Sequence, residues 1–148
     1  MVTTLGYMVT WTTYGTWLQG EKKGYVKKGK ILGERDNLRK SNAEKLSQKP
    51  VRLKVREKEI VKRVILEKAQ QVGHRILAIA VCSNHVHMVA AYDGRGVEKL
   101  VSRYKNAAYF ALRKDGFTGR VWTRGYDKRY CFDEESLLTR VDYVKGHK

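Results

Sequence analysis

Acidic residues are scarce in this chain. Its 148 residues set 15 aspartates and glutamates against 31 lysines and arginines, a formal net charge of +16. That excess goes far beyond what solubility needs, so a polyanionic partner is expected. Long apolar runs are missing as well. No stretch approaches the roughly 20 residues of a membrane span, and the N-terminus lacks a basic segment leading into an apolar core. A membrane protein is thereby excluded at the level of sequence, and a cytoplasmic location is expected. The two cysteines, Cys82 and Cys131, lack CxxC spacing. This excludes a disulfide framework or a zinc knuckle and predicts reduced, buried thiols. Neither a Walker motif nor GxGxxG occurs, so no nucleotide cofactor is signalled. No internal repeat or second domain is evident, and the length suits one domain over 1–148.

What is present is a run of alternating strand and helix patterns. Leu5 to Thr13 is β-branched and aromatic and reads as a first strand. A segment at about 19–50, rich in Gly, Lys, Arg, Asn and Ser, follows. It is too long for an ordinary connection unless it contains a small hairpin around Tyr25 to Leu32, and it reads either as a nucleic-acid contact loop or as a solvated, disordered insertion. Val55 to Val72 has helical spacing and stops at Gly73, and Val97 to Ala111 is a second amphipathic helix. Between them Arg75 to Cys82 and Val86 to Ala91 form a strand pair around Ser83-Asn84. Val121-Trp122 and Tyr130 to Phe132 are short strand candidates. A last helix starts at Asp133, a good N-cap, with Glu134 and Glu135 in its first turn and Leu137, Leu138, Val141 and Val144 on its packed side. The order β, loop, α, β, β, α, β, α predicts an α+β fold. In it, a ferredoxin-like split βαβ antiparallel sheet carries helices on one face, and a C-terminal helix bears a tyrosine.

Chemistry concentrates at Ser83-Asn84-His85-Val86-His87-Met88-Val89-Ala90. Strand side chains alternate, so His85 and His87 share a face and make half of a metal site. Two half-exposed histidines on an ordinary sheet are the competing reading. On the last helix Tyr143 and His147 are four residues apart and so lie on one face. The competing reading there is a solvated phenol beside a frayed terminus.

In these segments the chain resembles the HUH single-tyrosine transposases, the branch that includes small insertion-sequence transposases and REP-associated tyrosine transposases. Val121-Trp122-Thr123-Arg124-Gly125-Tyr126 is similar to that family's W-x-R-G segment. Asp133-Glu134-Glu135-Ser136 leading to Asp142-Tyr143-Val144 is similar to its tyrosine helix, and Thr10 to Leu18 to the opening of one subgroup. The resemblance implies cleavage and rejoining of single-stranded DNA beside hairpins. It implies that His85 and His87 bind a divalent metal and that Tyr143 is the nucleophile, giving a 5′-phosphotyrosine. The family's third ligand, four residues past the tyrosine, is usually Gln or Asn; here it is His147. Magnesium or manganese is the expected ion, and a three-histidine set favours manganese, cobalt or zinc. Family members include homodimers that share active sites and monomers that do not, and either state is compatible with the sequence.

For DNA contacts the expected residues are Trp17, Lys22, Lys23, Lys27, Lys28, Arg103, Lys105, Arg124, Tyr126 and Arg129, pairing stacking surface with phosphate neutralisation. Two other readings stay open. One is a domesticated hairpin-binding protein that does not cleave; the other is a three-histidine zinc site that activates water.

Overall fold

The computed structural model describes residues 3–16 and 48–147. Most of the basic segment at 19–50 lies outside them, as do Trp17, Lys22, Lys23, Lys27 and Lys28. The elements are β1 (Gly6–Thr12), α1 (Val55–Val72), β2 (Ile76–Val81), β3 (His85–Ala91), α2 (Val97–Lys114), β4 (Asp127–Cys131) and α3 (Glu134–Lys145). The four strands form one sheet in the order β2-β3-β1-β4, and every neighbouring pair is antiparallel. β1 and β2 therefore run parallel with β3 inserted between them. This is the split βαβ arrangement expected from the order of elements.

Alternation along the strands builds two layers. Tyr7, Val9 and Trp11 of β1, with Val86, Met88 and Ala90 of β3, pack under α1 and α2 in the main core. α1 contributes Ile60, Val61, Ile65 and Ala69, and α2 contributes Leu100, Val101, Tyr104, Ala108 and Leu112. Burying each large side chain is worth roughly 1.5–3 kcal/mol, so this layer holds the sheet flat side down on the helices. The left-handed Gly73 (φ 68°) ends α1, and the next residue's amide, that of His74, bonds back to Ala69 O at 2.9 Å.

The opposite face carries the third helix. Val141 and Val144, with half-buried Leu137, sit on Met8, Ala78, Ala80 and Val89. Leu138, expected on the packed side, is 53% exposed. The stripe at 137, 141 and 144 is narrow because α3 meets only a sheet beneath it, and residue 138 is turned about 100° off that stripe. Asp133 caps the helix as expected, its carboxylate accepting from Ser136 N at 2.7 Å. At Gly6 an added Cβ would lie 2.6 Å from Ala90 O and 2.7 Å from Leu137 Cδ1, so a bare backbone is what lets α3 approach.

Two strand boundaries differ from expectation. β4 is Asp127–Cys131 rather than Tyr130 to Phe132, and Val121-Trp122 is reduced to a single bridge, Thr13 with Trp122. β4 is an edge strand with an exposed middle, so ladder bonds to β1 define it rather than apolar burial.

Candidate active site

The histidine strand β3 is an inner strand, paired on both sides, so its backbone cannot drift. Its turn is strapped as well: Leu53 N donates to Ser83 O at 2.7 Å and Thr13 N to Asn84 O at 2.9 Å. From this platform His85 and His87 project to the α3 side, the face opposite Val86 and Met88. Across the sheet, one row of residues is Ala80, His87, Thr10 and Asp127, and in the next row His85 pairs with Thr12.

Both rings are oriented by partners. His85 Nδ1–H donates to Asn84 Oδ1 at 2.7 Å, which leaves Nε2 with its lone pair outward. His87 Nδ1 shares a 2.8 Å hydrogen bond with Thr10 Oγ1, both side chains being buried. His147 reaches the same spot from the end of α3, where its amide bonds to Val144 O at 3.1 Å. His85 Nε2 and His147 Nε2 are 3.0 Å apart. Ring centroids are separated by 4.4 Å between His85 and His87, 4.5 Å between His87 and His147, and 5.1 Å between His85 and His147. Tyr143 completes the group, its ring 5.7 Å from that of His87 and 5.4 Å from that of His147. It is 51% exposed, and it borders a cavity of about 430 Å³ with Ser136, Thr139 and Arg140.

Burial depresses the pKa values of His85 and His87, and the like charge of neighbouring imidazoles adds to the effect. His85 is lowered by burial and then by His147; His87 is lowered to about 4 by burial, then His85 and His147. Near neutrality both rings are therefore uncharged, which is the form that ligates metal. Two nitrogens bound to one ion at about 2.0–2.1 Å stand roughly 3 Å apart, so the close approach of His85 and His147 suits a shared cation.

The residues expected to meet DNA are divided between two places. Arg129 is on the histidine face, on β4, with its Nε 3.3 Å from Asp127 Oδ2. Lys105 and Arg124, with Tyr126, instead line a cavity of about 620 Å³ beside α2, on the other side of the sheet. There Lys105 Nζ donates to Thr123 O at 2.9 Å and to Gly125 O at 3.1 Å, pinning the Trp122 to Tyr126 loop, while Trp122 Nε1 donates to Lys105 O at 2.9 Å. Arg103 is exposed on α2. Sequence reasoning missed Thr10, Asn84 and Cys82. Asn84 adjoins His85 and Cys82 faces it across a two-residue turn, so both were within reach of a hairpin argument. Thr10 becomes visible only once the register of β1 on β3 is known.

A family model described as transposase, IS200-like, matches residues 46–147. The chain belongs to the IS200-like transposase family. This transposase aligns with a REP-associated tyrosine transposase solved bound to a REP hairpin, at a TM-score of 0.57 and 11% identity, covering 97% of this chain and 67% of that one. A candidate transposase from Deinococcus radiodurans aligns at a TM-score of 0.51 and 15% identity, over 99% of this chain and 94% of that one. At these identities the likeness is one of fold. The comparison with curated proteins found no match. Among the described residues no helix is long and apolar enough to cross a membrane.

Proposed function

We propose that this transposase cuts and rejoins single-stranded DNA beside hairpins, with Tyr143 as nucleophile and a divalent ion held by His85, His87 and His147. One observation carries the reading: within a single chain, the phenol from α3 stands against two of three clustered imidazoles, 5.7 Å from His87 and 5.4 Å from His147 between centroids. No second subunit is needed to assemble this set.

The donor chemistry fits a metal, since neutral imidazoles suit manganese, cobalt or zinc better than magnesium. When bound, such an ion supplies charge neutralisation and orientation at the scissile phosphate. The chain's own residues do the rest. Thr10 and Asn84 orient the His87 and His85 rings, and His85 Nε2 lies beside His147 Nε2. α3 holds the Tyr143 ring beside that cluster, half exposed to solvent. Tyr143 Oη gives up its proton to solvent and forms a bond to phosphorus as the bond from phosphorus to the 3′ oxygen breaks, and that oxygen takes a proton from solvent and leaves as a 3′-hydroxyl. The resulting 5′-phosphotyrosyl ester keeps a good leaving group, so a 3′-hydroxyl can attack it in turn and rejoin strands without ATP. Arg129, on the same face, neutralises phosphate near the cut. Arg103, Lys105, Arg124 and Tyr126, with Trp17, Lys22, Lys23, Lys27 and Lys28, are the proposed contacts for the rest of the DNA.

The test is incubation with hairpin-bearing single-stranded DNA and manganese, followed by denaturing electrophoresis. A covalent protein–DNA adduct that vanishes in Tyr143→Phe supports the proposal. Binding without cleavage would leave a hairpin-binding protein, and cleavage that survives Tyr143→Phe would mean hydrolysis by activated water.

A further inference from the structure

Cys82 is expected from sequence to be a reduced, buried thiol, and it is buried and unpaired with Cys131. Its position is not that of an ordinary core residue. It closes the hairpin opposite His85, its amide donating to His85 O at 2.8 Å across the Ser83-Asn84 turn. Alternation along β2 places Ala78 and Ala80 against Val141 and Val144 of α3, and so directs Cys82 to that same face, two residues further along. The thiol thus enters the row of His85, whereas His87 has only Ala80 across from it on that side. The donor atoms of Cys82, His85 and His147 all lie within 4.8 Å of one another.

We infer that Cys82 is a further protein donor at the histidine cluster, ligating thiophilic divalent ions such as zinc, cobalt or cadmium alongside His85 and His147. The inference rests on the metal site proposed above and adds a ligand to it. On binding, a bond forms between sulfur and the ion and the thiol proton is released to solvent; nothing is oxidised or reduced. Magnesium, which prefers oxygen donors, and manganese, which takes oxygen and imidazole donors, leave Cys82 aside. The same pocket therefore offers a hard ion the imidazoles alone and a soft ion a mixed nitrogen and sulfur set. A thiolate in the fourth place also fills the position that a catalytic zinc site keeps open for substrate.

Cobalt(II) titration of the reduced full-length protein tests this, because a thiolate ligand produces a near-ultraviolet charge-transfer band that imidazole ligands do not. The chain has two cysteines, so Cys131→Ser leaves Cys82 as the sole thiol and leaves the site untouched: Cys131 pairs with Gly6, at the end of β1 away from Thr12 and His85. The expected result is a band that persists in Cys131→Ser and is lost in Cys82→Ser. Cobalt binding, followed through its visible bands, with no charge-transfer band in Cys131→Ser would overturn the role of Cys82 while leaving the imidazole site standing. No cobalt binding at all would overturn both. Because Cys131→Ser alone decides the assignment, the conclusion survives if Cys82→Ser fails to fold.

Discussion

Replacing Thr10 with valine keeps the volume of the side chain and removes one hydrogen bond, the 2.8 Å contact with His87 Nδ1. Both residues are 9% exposed, so water cannot take the place of the hydroxyl. An unpaired buried polar atom costs about 1–3 kcal/mol. In a domain of this size each kcal/mol lowers Tm by about 2–4 °C. The larger effect is expected on the ion. Loss of an outer hydrogen-bond partner of a metal-ligating histidine typically costs about 10–100-fold in affinity, because the ring is free to turn and to adopt the wrong tautomer. Competition against a chelator of known affinity measures this directly, with circular dichroism to show that the variant is folded. Thr12→Val is the matched control, since Thr12 Oγ1 donates instead to Thr16 O at 2.6 Å. If manganese or cobalt affinity in folded Thr10→Val equals that of the control, His87 is a packing residue and the proposed ligand set is wrong.

Four other outcomes follow from the same geometry. His147→Gln should move the metal preference of DNA cleavage toward magnesium, since an amide oxygen replaces imidazole; an unchanged preference removes His147 from the site. Gly6→Ala should destabilise the fold by about 1–3 kcal/mol and weaken metal binding, because the new methyl collides with Ala90 O and Leu137 and lifts α3; metal affinity equal to wild type would show that α3 tolerates the shift. Lys105→Met should lower Tm as well as DNA affinity, since its half-buried ammonium holds two loop carbonyls; a loss of DNA affinity with Tm unaltered would make it a plain phosphate contact. In chelator-treated protein, stability measured by urea unfolding should fall between about pH 7.5 and about pH 5. Burial lowers the pKa values of His74, His85 and His87, the last to about 4, so the unfolded chain takes up protons from about 6.5 downward and the folded one only at lower pH. Stability that is flat or rises as the pH falls would contradict this.

The proposed catalytic residues could be read from local rules. Strand alternation alone puts His85 and His87 on one face, helical spacing puts Tyr143 near His147, and Asp133 announces the start of α3. What joins these pieces could not be read that way. The contact of Thr10 with His87 spans 77 positions and depends on a register that only the folded sheet defines. β4 was misjudged because Asp127-Lys128-Arg129 carries no apolar signal, yet an edge strand needs little burial to pair. Lys105 read as a surface cation because charge is all that composition reveals; its carbonyl partners come from a loop 18 and 20 residues away.

The inner position of β3 has one more consequence. A slip of one residue against β1 would turn both imidazoles into the layer under α1 and α2 and expose Val86 and Met88, so no half-correct version of the cluster exists. If the proposed ligand set holds, capture of an ion would double as a report on folding fidelity: a molecule that retained cobalt on a desalting column would have its central ladder aligned. Such a column would sort aligned chains from misaligned ones before any DNA is added.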